Sequence, residues 1–129
     1  MSSPSADPPR PDEQPARWLS VPEVADLLGV RQRDVRAMLR DHRLLSVPHG
    51  PDGAPAVPVE LLQGGDEQAP GPLPTLRGTL TLLADNGFDD EESYRWLYTV
   101  DEELGSTPLQ ALQAGRTHAV RRVAQTLAF

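Results

Sequence analysis

Between Trp18 and Arg43 the chain reads WLSVPEVADLLGVRQRDVRAMLRDHR, two short amphipathic segments broken by one glycine. Few folds accommodate that arrangement. Ser20 suits an N-cap, Pro22 is tolerated in a first helical turn, and Glu23 stands at the capping-box spacing from Ser20. Val24, Leu27 and Leu28 then recur at helical spacing, and Gly29 supplies the backbone freedom a sharp turn needs. A second helix is expected from about Gln32 to Asp41. On a wheel of about 100° per residue, Val35, Met38 and Leu39 share one side, and Gln32, Arg33, Arg36, Arg40 and Arg43 another. An apolar face that docks on the first helix leaves the basic face outward, as a recognition helix in a DNA major groove requires. Arg31 is a weak second N-cap, and Asp34 is placed either to repel a phosphate or to cap that helix instead.

Charge sharpens this reading through its distribution. The formal net charge of −7 argues against a non-specific nucleic-acid coat. Residues 31–43, however, hold five Arg against two Asp, a balance of +3. Residues 51–74 hold four acids and no base, and residues 75–129 hold five Arg against eight acids. The positive charge is local to the second helix. The 129 residues, 38% apolar, suffice for one domain or two small ones sharing a core. There is no cysteine, so no disulfide framework or thiolate metal site can form. No stretch approaches the roughly 18 apolar residues of a membrane span, and the N-terminus lacks a signal-peptide core. The expectation is a cytoplasmic, nucleoid-associated protein without a membrane partner.

In chain order, residues 1–16 are proline-rich with little apolar content, and read as a disordered tail. Its Ser2, Ser3 and Ser5 are candidate phosphate acceptors. After the two helices, Leu44–Pro48 and Ala54–Pro58 flank a Gly/Pro/Asp cluster and predict a short hairpin, its prolines restricting it to edge pairing. His49 sits at the tip of this wing. PVELL, residues 58–62, reads as a short helix closing a first domain over 17–62, with Val59 and Leu62 packing back. Residues 63–74, QGGDEQAPGPLP, read as a linker.

Residues 75–129 predict four helices and a C-terminal helical domain. Leu76, Leu80 and Leu83 share a face of the first, which Asn86-Gly87 ends. Asp89 with Glu92 opens the second, where Tyr94, Leu97 and Tyr98 form a stripe with Trp96 at its flank. Thr107-Pro108 with Gln110 opens a third, stopped by Gly115. Thr117 caps a fourth, along which Val120, Val123, Ala124 and Leu127 keep the helical period. About 55 residues make a marginal core alone, so this half is expected to pack on the first domain, on a second copy, or on both.

LSVPEVADLLGVRQRDVRAMLRDHRL resembles the helix-turn-helix of MerR/excisionase-type winged-helix proteins, departing from it at Arg31 and Asp34. RWLYTVDEELGSTPLQALQAGRTHAVRRVAQTL resembles the C-terminal domain of Xre/MbcA/ParS-type antitoxins, on Arg95-Trp96-Leu97, Leu104-Gly105, Pro108-Leu109, Leu112 and Gly115. That second resemblance implies dimerisation and, in true antitoxins, contact with a toxin. The combination resembles small actinobacterial winged-helix DNA-binding proteins.

Catalytic and metal patterns are missing from the sequence. His42, His49 and His118 show no metal-ligand spacing, and no nucleophile elbow, P-loop or dinucleotide fingerprint occurs. The fold expected is mainly α: a winged helix-turn-helix with a short β-hairpin, then a small helical domain. The function expected is non-enzymatic, cofactor-free binding of double-stranded DNA by a transcriptional regulator. Gln32, Arg33 and Arg36 are candidates for base edges, and Arg31, Arg40, Arg43 and His49 for phosphates. A homodimer would double a small footprint, with Trp96, Leu97, Val120, Val123 and Leu127 as candidate partner contacts, each of which plain core packing would explain equally well. The competing reading is an antitoxin-like interaction module whose C-terminal half binds a protein.

Overall fold

A computed structural model describes residues 14–65 and 68–127 of the chain. The tail expected over 1–16 therefore falls mostly outside the described residues, with its three serines. Strand β1 (Trp18–Ser20) leads directly into α1 (Val21–Leu28). Ser20 and Glu23 form the predicted capping box: the Glu23 N–H donates to the Ser20 hydroxyl at 3.2 Å, and the Ser20 N–H to the Glu23 carboxylate at 2.9 Å. Gly29 ends α1 at φ 69°, a left-handed conformation that glycine adopts without steric cost. Helix α2 (Gln32–Arg40) follows. Arg31 makes no side-chain cap, and the Asp34 carboxylate accepts its N–H at 3.0 Å, as the sequence suggested.

Strands β2 (Val47–His49) and β3 (Ala54–Pro58) form the wing and join β1 in an antiparallel sheet of order β1-β3-β2. The central strand carries Pro55 and Pro58, against the expectation that proline keeps to edges. The register explains it. Strand β2 covers residues 54–56 of β3 and β1 covers residues 56–58, so only Ala56 is flanked on both sides. Each proline keeps one open flank. Leu19 pairs with Val57, and both are buried on the same face of the sheet.

The short helix expected over 58–62 is a single 3₁₀ turn, Val59–Leu61; Val59 and Leu62 pack partly buried against the core as expected, and Leu61 is fully buried. The stretch read as a linker differs more. Its residues form β4 (Leu62–Gly65) and β5 (Gln68–Pro72), a two-stranded antiparallel hairpin, and β5 packs against α1. Backbone pairing needs no apolar side chains, so a Gly/Pro-rich composition did not exclude it.

Four helices complete the chain: α3 (Leu76–Asp85), α4 (Asp90–Leu97), α5 (Pro108–Gln113) and α6 (Thr117–Gln125). Capping boxes open α4 at Asp89/Glu92 and α5 at Thr107/Gln110, where the sequence placed them. Helix α6 departs by one residue: Arg116 is its N-cap, without a side-chain bond, and Thr117 is its first helical residue. Arg116 instead donates from Nη1 to the Leu104 carbonyl at 2.8 Å, tying α6 to the loop before α5.

The two halves share one apolar core. Leu19, Val24, Val35 and Val57 from the first belong to the same buried cluster as Leu76, Leu97, Leu112 and Val120 from the second. At about 1.5–3 kcal/mol per fully buried aliphatic side chain, neither half retains its share of this stabilisation alone.

Candidate nucleic-acid interface

Helix α2 is held by one side and presents the other. Val35 is fully buried against the cluster, and Met38 and Leu39 pack beside it half-buried. Arg31, Gln32, Arg33, Arg36, Arg40 and Arg43 are all exposed. At about 100° per residue, Gln32, Arg33, Arg36 and Arg40 fall within an arc of about 100°, and Asp34 and Asp41 lie outside it. From Arg33 to Arg40 the helix rises about 10 Å, roughly three base-pair steps of B-DNA.

Among the described residues these cations have no carboxylate partner in an ion pair. Among the described residues the ion pairs are Arg17–Glu23 at 3.5 Å, Arg95–Glu91 at 3.0 Å and Arg122–Glu103 at 3.5 Å, and none involves an arginine of residues 31–43. At Glu23, the Ser20 backbone N–H and then the Ser20 hydroxyl hold the carboxyl below its ordinary range, with Arg17 adding to the effect. That anion serves the α1 cap and leaves the α2 face alone.

The last residues of α2 are set by an unusual turn. His42 adopts φ 61°, the non-glycine residue with positive φ among those described. The Arg43 N–H then reaches back to the Met38 carbonyl at 2.9 Å, and the His42 N–H to that of Leu39 at 3.4 Å. This is a Schellman closure with histidine in glycine's place, and it fixes where Arg43 leaves the helix.

His49 closes β2, one residue before the turn, and its exposed side chain is not free. Its ring stacks on Trp18 with centroids 4.3 Å apart and planes 18° from parallel. The wing offers no arginine or lysine: from Val47 to Pro58 the charged residue is Asp52. The sequence makes Trp18 the start of the helix-turn-helix; its contact with the wing is created by strand register and leaves no local pattern.

The candidate partner residues scatter in burial. Leu97, Val120 and Val123 are core residues of this chain, 0–6% exposed, so their apolar faces are closed to a partner. Trp96 is half-buried against the core and Leu127 partly exposed. A helical stripe records that a face is buried, and not against what. An open cavity of about 470 Å³ lies between β1 and α1, lined by Arg17, Leu19, Glu23, Asp26, Leu27 and Val59, away from the arginine arc. Among the described residues no group of three His, Asp or Glu could hold a metal, and no helix is long and apolar enough to cross a membrane.

Fold and site together define a winged helix-turn-helix protein with a cationic second helix. Residues 6–62 match the family model described as the wHTH domain of the DNA-binding protein Rv2175c, and residues 73–128 match the Rv2175c C-terminal domain of unknown function. The chain belongs to the Rv2175c family. The DNA-binding protein Rv2175c of Mycobacterium tuberculosis is 32% identical over 121 residues, covering 84% of this chain and 79% of that protein. The NMR structure of Rv2175c is similar at a TM-score of 0.75 and 28% identity, over 100% of this chain and 99% of that one. These matches carry the winged helix-turn-helix and point away from an enzyme. They carry neither the MerR/excisionase likeness nor the antitoxin likeness of the C-terminal half.

Proposed function

We propose that this chain binds double-stranded DNA through α2 and acts as a transcriptional regulator. The observation that carries the reading is the arc of exposed arginines on α2, which make no ion pair among the described residues, in a chain of net charge −7. A cation that an acidic protein leaves unpaired along one helix is suited to a polyanion. The family model over residues 6–62 and the relative's name as a DNA-binding protein support it. Arg33, Arg36 and Gln32, on the first turns of the helix, are the candidates for base edges, where Arg pairs bidentately with guanine and Gln with adenine. Arg31, Arg40 and Arg43 flank them at the two ends of the helix, suited to phosphates that set register. His49 meets a phosphate only in the orientation its stack on Trp18 allows. Such a protein works beside the nucleoid in the cytoplasm, and two copies on a paired site would enlarge a small footprint.

The alternative, a partner-binding C-terminal module, has less support, because Leu97, Val120 and Val123 lie in the core common to both halves. Selection of preferred duplexes from a randomised pool tests the division of roles. Arg36→Ala is expected to relax base preference at one position by about 1–3 kcal/mol, whereas Arg40→Ala weakens binding to all sequences alike. Equal losses across all sequences for both variants would refute the base-edge assignment.

A further inference from the structure

The outer strand of the wing, β2, is short and pairs on one side only. Strand β2 has three residues, so it pairs with β3 over three positions only, with Pro48 facing Pro55 at the middle one. Isolated two-stranded hairpins are marginal even with full ladders. Strand β1 supports β3 over residues 56–58 only, and a row of rings reaches the outer strand. His49 at the end of β2 stacks on Trp18. Trp18 meets Tyr94 of α4 at 5.3 Å and 52°, and Tyr94 meets Tyr98 at 5.1 Å and 45°. Tyr98 closes the row by donating its hydroxyl to Glu60 Oε1 at 2.6 Å. The other Glu60 oxygen accepts the Ala16 N–H at 2.9 Å, just before β1. Helix α4 also packs directly on β2.

We propose that the C-terminal helices act as a brace for the wing, with Tyr94 as the positioning residue that holds Trp18 and His49 in place for DNA. The inference rests on the DNA-binding reading and assigns a role to the half of the chain that reading leaves unused. An ordered wing reaches DNA without first losing conformational freedom, so the brace acts on affinity through preorganisation. It adds no charge to the interface, so it leaves the salt dependence unchanged.

The test uses the full chain and a mixed-sequence duplex, followed by fluorescence anisotropy at several salt concentrations. Tyr94→Ala is expected to weaken binding about two- to tenfold, the range of one aromatic pair, with the salt slope of wild type. Tyr94→Phe keeps the ring and is expected to bind within twofold of wild type. A Tyr94→Ala protein that binds like wild type, while the His49 ring resonances show its stack on Trp18 lost, overturns the proposal. So does a loss that Tyr94→Phe fails to rescue, which would place the effect in the hydroxyl. Should Tyr94→Ala not fold, titration of wild type by NMR decides. Duplex is expected to move the His49 ring and Trp18 indole resonances along with the α2 amides, and movement of the amides alone overturns the brace. Wild type that binds no duplex at low salt fails earlier and sinks the DNA-binding reading itself.

Discussion

Removing one oxygen atom from Tyr98 has a consequence that changes sign with pH. Tyr98 is 4% exposed, and its hydroxyl donates to Glu60 at 2.6 Å. A hydrogen bond to a charged group contributes about 1.5–3 kcal/mol. Glu60 is only half-buried and keeps the Ala16 N–H, so Tyr98→Phe is expected at the low end, about 1.5 kcal/mol less stable at pH 7. Burial, and then the bond to Glu60 and its charge, push the Tyr98 pKa far above the ordinary tyrosine value. A folded-state pKa raised in this way gives stability that is complete below the unfolded value near 10 and is lost as pH rises above it. The slope is about 1.4 kcal/mol per pH unit, so wild type loses about 2 kcal/mol through Tyr98 by pH 11.5. Phe has no proton to lose, so the two stability curves should cross near pH 11, about where 1.5 kcal/mol has gone.

The window is unusually clean, because the chain has no Lys or Cys and its two tyrosines are Tyr94 and Tyr98. Burial, then the Glu60 charge, pushes Tyr94 the same way, but its partial exposure makes its contribution smaller. Urea unfolding of both proteins between pH 7 and 11.5 measures the crossing. Parallel curves, or a variant as stable as wild type at pH 7, would refute the account of this hydrogen bond.

His42→Gly should raise stability by about 1 kcal/mol, the cost of a left-handed non-glycine residue, read as an increase in Tm of a few degrees. Asp34→Ala should lower stability by about 1 kcal/mol through loss of the cap on the Arg31 N–H, yet tighten DNA binding by removing an acid from α2; denaturant unfolding and anisotropy read the two effects separately. Leu97→Ala should cost about 2–5 kcal/mol, and tryptophan emission from Trp18 and Trp96 should report one coincident transition, because both halves share a core. Two separated transitions would contradict that shared core.

Features whose partners lie within four residues were legible in the sequence. The boxes at Ser20/Glu23, Asp89/Glu92 and Thr107/Gln110, the left-handed Gly29 and the α2 faces depend on local spacing alone. Strand β1 was not legible, because three residues become a strand only when β3 lies beside them. The β4–β5 hairpin was hidden by a composition that also suits a linker. Helical period selected Leu97, Val120 and Val123 as a buried stripe without showing that the chain's own core covers it. The contact between Trp18, Tyr94 and His49 joins residues 31 to 76 positions apart in the chain, from three elements, and no local pattern announces it. The arginine arc was legible in position, and that it makes no ion pair among the described residues required the fold.

The most direct test of DNA binding by α2 is anisotropy of a mixed-sequence duplex against salt concentration, for wild type and Arg33→Ala/Arg36→Ala. Wild type should bind with a steep salt dependence, and the double variant should bind more weakly. Its slope should fall by about 0.9 for each removed arginine that touches phosphate, and stay unchanged for one that reads only a base. Wild type that fails to bind at low salt, or a double variant that binds as tightly as wild type, would contradict the account.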